Sequence, residues 1–466
     1  MSDETQLTGS TGRSRPPRIQ MSRRQAMIAL GLGLIGGGAA AAIVLSDGLK
    51  PARMVGAVTP QDYGAIADGT SDCTDAINQA FKSGRPVHFP SAQASTYVIS
   101  GTLFIESTNR ITFDRSVRIV ATTDDPMLVG IDPAGDLTIT GHGAILDLNA
   151  QSTAGLILKS SGTPDSNSSM RRVNSLAIAN NRDVRTAAAA VEIRGLQNVT
   201  LEDVEVADYR TDAPKGDDLQ VYGIGFFYCT NVAAVGCSIR RGCIGFEVQA
   251  CSGIRLERFS AVDLDDNGIY VLSGSDGVEI FDGELIRPEE GIVVLSPAVS
   301  ISNVLIEGST NKAISLRNSD GARVVDCTFR DNAVAIGDDG SLRESRNVRI
   351  SRNTFETPVH RSIYLVALAD SDISANSFSG GEGITHIRLQ NSKRVTVREN
   401  SFRGGPSADS TGVRIGTATS DCAVEDNKFD RLAIGIVIDD ALGSREVRVD
   451  SNDFSRSVAR DVVADS

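Results

Sequence analysis

The chain has 466 residues, 41% apolar and 23% charged, with 15 Phe, 7 Tyr and no Trp. Its formal net charge is −13, and residues 1–57 carry seven Arg/Lys against three Asp/Glu, so the remainder stands at −17. That acidity argues against nucleic acid and against nonspecific attraction to anionic surfaces.

Residues 1–57 stand outside the fold. Arg13, Arg15 and Arg18 precede the run Met21-Ser22-Arg23-Arg24-Gln25-Ala26-Met27, and a Gly/Ala-rich apolar stretch follows as far as Leu45. A basic region, an apolar region and small residues towards Val55-Gly56-Ala57 together read as an export signal. The Arg23-Arg24 pair after Ser22 resembles a twin-arginine signal, although Ala26 stands where a large apolar residue is usual. The resemblance implies delivery by an export machinery to the periplasm or the medium. A membrane anchor is the alternative, because the apolar run is nearly long enough to span.

Residues 58–105 read as an opening segment. Tyr63-Gly64-Ala65 and Asp68-Gly69 suggest a strand and a turn, and Ser71 or Asp72 caps a short helix near Asp72–Lys82. That helix places Ala76, Ile77, Ala80 and Phe81 on one face and stops at Gly84, as a terminal cap on a solenoid requires. The run D-Y-G-A-x-x-D-G-x-x-D-x-T-x-A-I, followed by Val87-His88-Phe89-Pro90 and Thr96-Tyr97-Val98-Ile99-Ser100, resembles the start of pectate-lyase-like proteins. It is closest in pattern to the branch containing rhamnogalacturonases, uronan epimerases and phage tailspikes. The resemblance implies a right-handed β-helix and an association with polysaccharide. It carries no single activity, since that branch includes hydrolases, lyases, epimerases and non-catalytic proteins.

Residues 106–175 give early coils and an insertion, SSGTPDSNSSM, that breaks the period. Gly141-His142-Gly143 and Gly216-Asp217-Asp218 each resemble a motif of polygalacturonase-type hydrolases. Their order is reversed here, and the Asn-Thr-Asp and Arg-x-Lys partners are missing, so His142 reads as a turn residue and a polygalacturonase is disfavoured.

Residues 176–456 repeat. Aligned on one apolar position per copy, the anchors are Val206, Ile239, Ala261, Leu285, Ile306, Phe329, Phe355, Phe378, Phe402, Phe429 and Phe454, spaced by 21 to 33 residues. Each copy holds three short runs of alternating Val, Ile and Phe between Gly, Asn, Asp and Ser, with no room for a long helix. The period is too short for a propeller blade, and one coil of a parallel β-helix with three parallel sheets fits. The recurrent Asn353, Asn376, Asn400, Asn427 and Asn452 read as an internal hydrogen-bonded ladder, with Cys237 and Cys327 in the same place on two coils. Seven Cys, odd in number and without tight metal spacing, read as buried thiols, a disulfide between neighbouring coils being the alternative. A tail, 457–466, follows.

Function then rests on the outer surface. The outward centre of the strand preceding each copy reads Glu192, Gly225, Glu247, Tyr270, Val293, Ser315, Ala335, Tyr364, Arg388, Arg414 and Val437. The turn before these strands gathers Asp217/Asp218, Arg240/Arg241, Asp265/Asp266, Arg287 and Glu289/Glu290, and the longest coil loops out at this edge. Carboxylates on neighbouring coils stand about 5 Å apart and those two coils apart about 10 Å, near the separations of retaining and inverting glycosidases. The candidate catalytic residues are therefore Asp218, Asp265, Asp266, Glu290 and Arg241. Tyr270, Tyr364, Arg287 and Arg388 are the candidate substrate-binding residues. The same acids could hold Ca²⁺ with an Arg as base, as a lyase would need. Two readings stand: an exported polysaccharide lyase or hydrolase, and a non-catalytic glycan-binding or oligomeric surface protein. The second draws on an outward apolar patch at Leu272, Val293, Leu295 and Val366.

Overall fold

The computed structural model describes residues 55–465, apart from 92–94, 134, 163–168, 185–186, 212–219, 339, 341–342, 406, 408 and 440–445. The basic and apolar stretches of the export signal, and Asp217 and Asp218, lie outside the described residues.

Short alternating runs that return every 20 to 30 residues cannot bury their apolar sides alone, so each coil stacks on the last. The result is a right-handed parallel β-helix with three strand ladders. The first runs from Val87–Phe89 to Arg448–Asp450, the second from Asp68–Asp72 to Asp453–Phe454, and the third from Leu103–Phe104 to Arg460–Asp465. All pairings between named strands are parallel. By hydrogen bonding there are two sheets rather than three, of 30 and 15 strands. The reason is local: Leu137–Asp147 and Arg171–Asn181 each run without a break through the corner and pair in both the first and the second ladder. His142, with φ +48°, sits at this corner and its Nδ1 lies 2.8 Å from the Phe113 carbonyl, a turn role.

The anchor register holds along the whole second ladder, from Val206–Ile239 to Phe429–Phe454. Six rings, Phe329 to Phe454, stack face to face with centroids 4.6 to 5.0 Å apart. Coil rise, about 4.8 Å in parallel sheets, sets this spacing.

The corner between the first and second ladders is built from a residue in the left-handed region followed by the ladder Asn: Arg352, Ala375, Glu399, Asp426 and Ser451 all have φ between 53° and 56°. That conformation costs a non-glycine residue on the order of 1 kcal/mol. The buried amides offset it. Asn376 Nδ2 donates to the Ile350 carbonyl and to Asn400 Oδ1, both at 3.0 Å, while the Asn376 backbone N–H donates to the same Asn400 oxygen at 2.9 Å. Cys327 takes the position without an amide, its N–H donating to Asn353 Oδ1 at 2.9 Å. All seven cysteines are free thiols, and six are buried.

The helix Thr74–Lys82 buries Ile77, Ala80 and Phe81 and sets Phe81 edge-on to Phe89. Asp72 accepts from the Thr74 N–H at 2.9 Å, doing the capping from one residue further out than usual. The segment before it differs from the sequence reading: Pro60–Tyr63 is a 3-10 turn and Asp68–Asp72 is the strand.

Candidate functional site

The third ladder carries the outward column. Its register runs Glu192–Gly225–Glu247–Tyr270–Val293–Ser315–Gly337–Tyr364–Arg388–Arg414–Val437. Gly337 therefore replaces Ala335, which sits two residues earlier on its strand.

On this outer face a second apolar cluster, separate from the main core, is formed by Ala189, Tyr222, Phe227 and Ile244, with Tyr270 packed against it. Gly225 makes room for it. A Cβ there would come within 2.5 Å of the Phe227 ring, so only glycine lets that ring fold back over the strand. Phe227 meets Tyr222 edge-on at 6.0 Å and carries the Arg194 guanidinium 4.3 Å above it.

Glu247 lies between the registers of Gly225 and Tyr270, in the middle of these rings. It is 1% exposed although it points away from the core, and its Oε2 has no hydrogen-bond partner. Burial pushes its carboxyl up to about 7, and the neighbouring Tyr222 hydroxyl and Arg194 offset only part of that. Two coils below it, Glu192 accepts from Arg194 Nε at 2.6 Å. One face thus holds a desolvated carboxyl and an ion-paired carboxylate about 10 Å apart along the column. The sequence marks Glu247 as a member of the outward column but not as a site residue, since its burial depends on rings supplied by the coils on either side.

The predicted residues separate into three groups. Asp265 and Asp266 are exposed on the turn edge, stacked on Gly242 and Cys243 where the coil carrying Glu247 enters its third-ladder strand, and Arg210 approaches Asp265 at 3.8 Å. Tyr270 is half-buried one coil above Glu247; burial raises its hydroxyl pKa, Arg317 opposes this, and Glu247, Asp266 and Glu290 add to it. Glu290 is no exposed turn residue. It opens a third-ladder strand, is 6% exposed, and accepts from Arg317 at 2.8 Å, Asn311 at 3.0 Å and Lys312 at 3.2 Å.

Arg241 and Arg287 belong to a structural ladder instead. Asp208, Arg241, Asp263 and Arg287 occupy one left-handed turn position on four successive coils. Arg241 pairs with Asp208 through two hydrogen bonds of 2.7 and 2.6 Å, and Arg287 Nε donates to Asp263 at 2.7 Å. The Asp208 bonds raise the Arg241 pKa, the opposite of what a catalytic base needs. The guanidinium groups of Arg241 and Arg182 hold the Asp208 carboxyl down at about 2. Asp208→Asn is therefore expected to cost about 1–2 kcal/mol in a denaturation experiment at pH 7, and less as the pH falls towards 2.

Tyr364 and Arg388 form a third group, four and five coils beyond Tyr270. The apolar patch is not an open surface: Val293 is 1% exposed, and Leu272, Leu295 and Val366 are partly covered. Among the described residues no group of three or more His, Cys, Asp or Glu stands close enough to hold a metal ion.

On the same turn edge, N-terminal to Asp208, lies an open depression of about 660 Å³ lined by Thr122, Asp124, Gln151, Asn181 and Asp183 among others. Its last coil leads directly into the strand that carries Glu192.

Fold and site together define a right-handed parallel β-helix with a polar edge groove and a buried carboxyl on its third face. The family model described as "Right handed beta helix region" matches residues 280–385 and 312–464. Curated proteins yield no sequence match. Among solved structures, a mutant tailspike of E. coli bacteriophage HK620 in complex with a pentasaccharide is 11% identical, with a TM-score of 0.54 over 88% of this chain and 78% of its own. The catalytic unit of a GH87 alpha-1,3-glucanase from Streptomyces thermodiastaticus is 14% identical, with a TM-score of 0.50 over 87% of this chain and 69% of its own. The chain spans 61% of the length of bacteriophage CBA120 tailspike protein 3, at 13% identity, 87% of this chain and a TM-score of 0.49. At such identities the likeness is one of fold.

Proposed function

We propose that the chain is an exported glycoside hydrolase that cleaves polysaccharide on the third face, with Glu247 as the proton donor. The carrying observation is the seclusion of Glu247: a carboxyl lifted by burial to about 7 still holds its proton in mildly acidic solution, as protonation of a glycosidic oxygen requires. Glu192, ion-paired with Arg194, is the base that activates water, and the two-coil separation suits inversion. The polar depression and the Asp265/Asp266 edge receive sugar hydroxyls on either side, and Tyr270 offers a ring face. The pentasaccharide held by the tailspike and the alpha-1,3-glucanase activity of the second similar structure support a glycan as the ligand.

The test is a screen of the purified full chain against neutral and acidic polysaccharides, following new reducing ends and the anomeric configuration of the product by NMR. Cleavage with inversion, lost in Glu247→Gln and in Glu192→Gln, is the expected result. A Glu247→Gln chain as active as the wild type would place the chemistry elsewhere, and binding without cleavage would make this a non-catalytic glycan-binding protein. Export has its own test. Changing Arg23 and Arg24 together to Lys is expected to hold the chain in the cytoplasm, and continued export of that variant would remove the twin-arginine reading.

A further inference from the structure

The outward column has a second feature, well away from Glu247. Tyr364 stands five coils above it, about 24 Å along the axis. Its hydroxyl donates to Gln390 Oε1 on the next coil at 2.5 Å, which pins the ring against the sheet. Two guanidinium groups lie over that ring, Arg361 at 4.7 Å and Arg388 at 5.7 Å from its centroid.

These two arginines differ from their neighbours. Arg394, Arg398 and Arg414 each pair with an aspartate, and Arg414 does so through two hydrogen bonds to Asp439. Among the described residues, Arg361 and Arg388 have no carboxylate partner, and Arg388 Nε is buried without an acceptor. Two guanidiniums without a carboxylate partner over one fixed aromatic ring leave a place for an anion, and an anion there would satisfy the buried Arg388 Nε. A planar carboxylate or a sulfate on a sugar suits the guanidinium fork.

We propose that Tyr364, Arg361 and Arg388 form a distal subsite for an anionic sugar unit, so that the polysaccharide bound on the third face is a charged one. This rests on the reading of that face as a glycan-binding surface. The subsite binds and orients; it does not touch the bond broken at Glu247.

Calorimetric titration of the full chain with oligogalacturonate, dextran sulfate oligomers and neutral dextran oligomers of matched length tests it. The wild type is expected to bind at least one anionic series more tightly than dextran, and the series that binds separates carboxylate from sulfate. The double variant Arg361→Gln/Arg388→Gln is expected to lose about tenfold or more in affinity for that series. Arg388→Lys, which keeps the charge without the planar fork, is expected to lose part of it at an unchanged melting temperature. Equal affinity for dextran and both anionic series, or full affinity in the double variant, would overturn the proposal. Glu247→Gln keeps the two ideas apart. If it abolishes turnover while the double variant binds and cleaves like wild type, the subsite falls and the hydrolase stands. If it leaves turnover intact while the double variant loses anionic binding, the hydrolase reading falls and the subsite stands.

Discussion

Glu247→Gln is expected to lower turnover by about 10²–10⁴-fold, the usual contribution of a positioned general acid, and to make the protein more stable at neutral pH. Both effects follow from one environment. Burial among Tyr222, Phe227 and Tyr270 lifts the carboxyl from 4.5 to about 7, so between these values the folded state keeps a proton that the unfolded chain has released. Stability from this group is therefore complete below pH 4.5 and declines as the pH rises to about 7, where it levels off. The loss is on the order of 3 kcal/mol. Glutamine fills the same space without a charge to desolvate, so the decline should vanish in the variant.

His386 acts in the other direction. It is fully buried, and burial lowers its pKa from 6.5 to about 4, so its contribution is present above 6.5 and is lost as the pH falls through about 4. Because His386 is common to both proteins, the difference between their denaturation curves isolates Glu247. Wild-type turnover should also fall as the pH rises through about 7, as the acid loses its proton. Parallel stability curves for wild type and variant would mean that Glu247 is ordinarily hydrated.

Phe378→Ala is expected to cost about 3–5 kcal/mol, among the largest losses available to a single core change. Phe378 is 1% exposed and lies 4.6 Å from Phe355 and 4.7 Å from Phe402, with His386 tilted against it at 5.7 Å. The coil spacing that brings the rings into contact also holds Phe355 and Phe402 in place, so the cavity has little means of collapsing. Each lost ring pair adds about 0.5–1.5 kcal/mol beyond area burial. Chemical denaturation of wild type and variant measures this, and a loss below about 1 kcal/mol would contradict a stacked core at this coil.

The architecture was legible because a solenoid writes its register into its period. An apolar residue recurring beside an Asn defines both the inward column and the corner, and Phe329 to Phe454 stack where that pattern puts them. Ala335 shows the limit: Val334–Gly337 is a short strand whose two small residues, Ala335 and Gly337, share one parity, and alternation there does not say which of them is opposite Ser315. Charge was harder to read than apolarity. Arg241 and Arg287 attract notice in the sequence as basic residues among acids, but neighbouring coils supply Asp208 and Asp263 in the same turn position and turn them into rungs of an ion-pair ladder. Glu290 looks like one more turn acid until Lys312 and Arg317, from the next coil, close over it.

Sequence alone thus determined the fold, the coil register, the Asn ladder and the residues that share the outward face of the third ladder, since each follows from a residue and its counterpart one period away. Which carboxyl on that face is chemically distinct was decided only by the tertiary structure. The state of Glu247 depends on Gly225 leaving space, Phe227 folding back into it, and Tyr222 and Tyr270 closing from the coils on either side. Desolvation is a property of everything around a group at once, and no spacing along one chain encodes it.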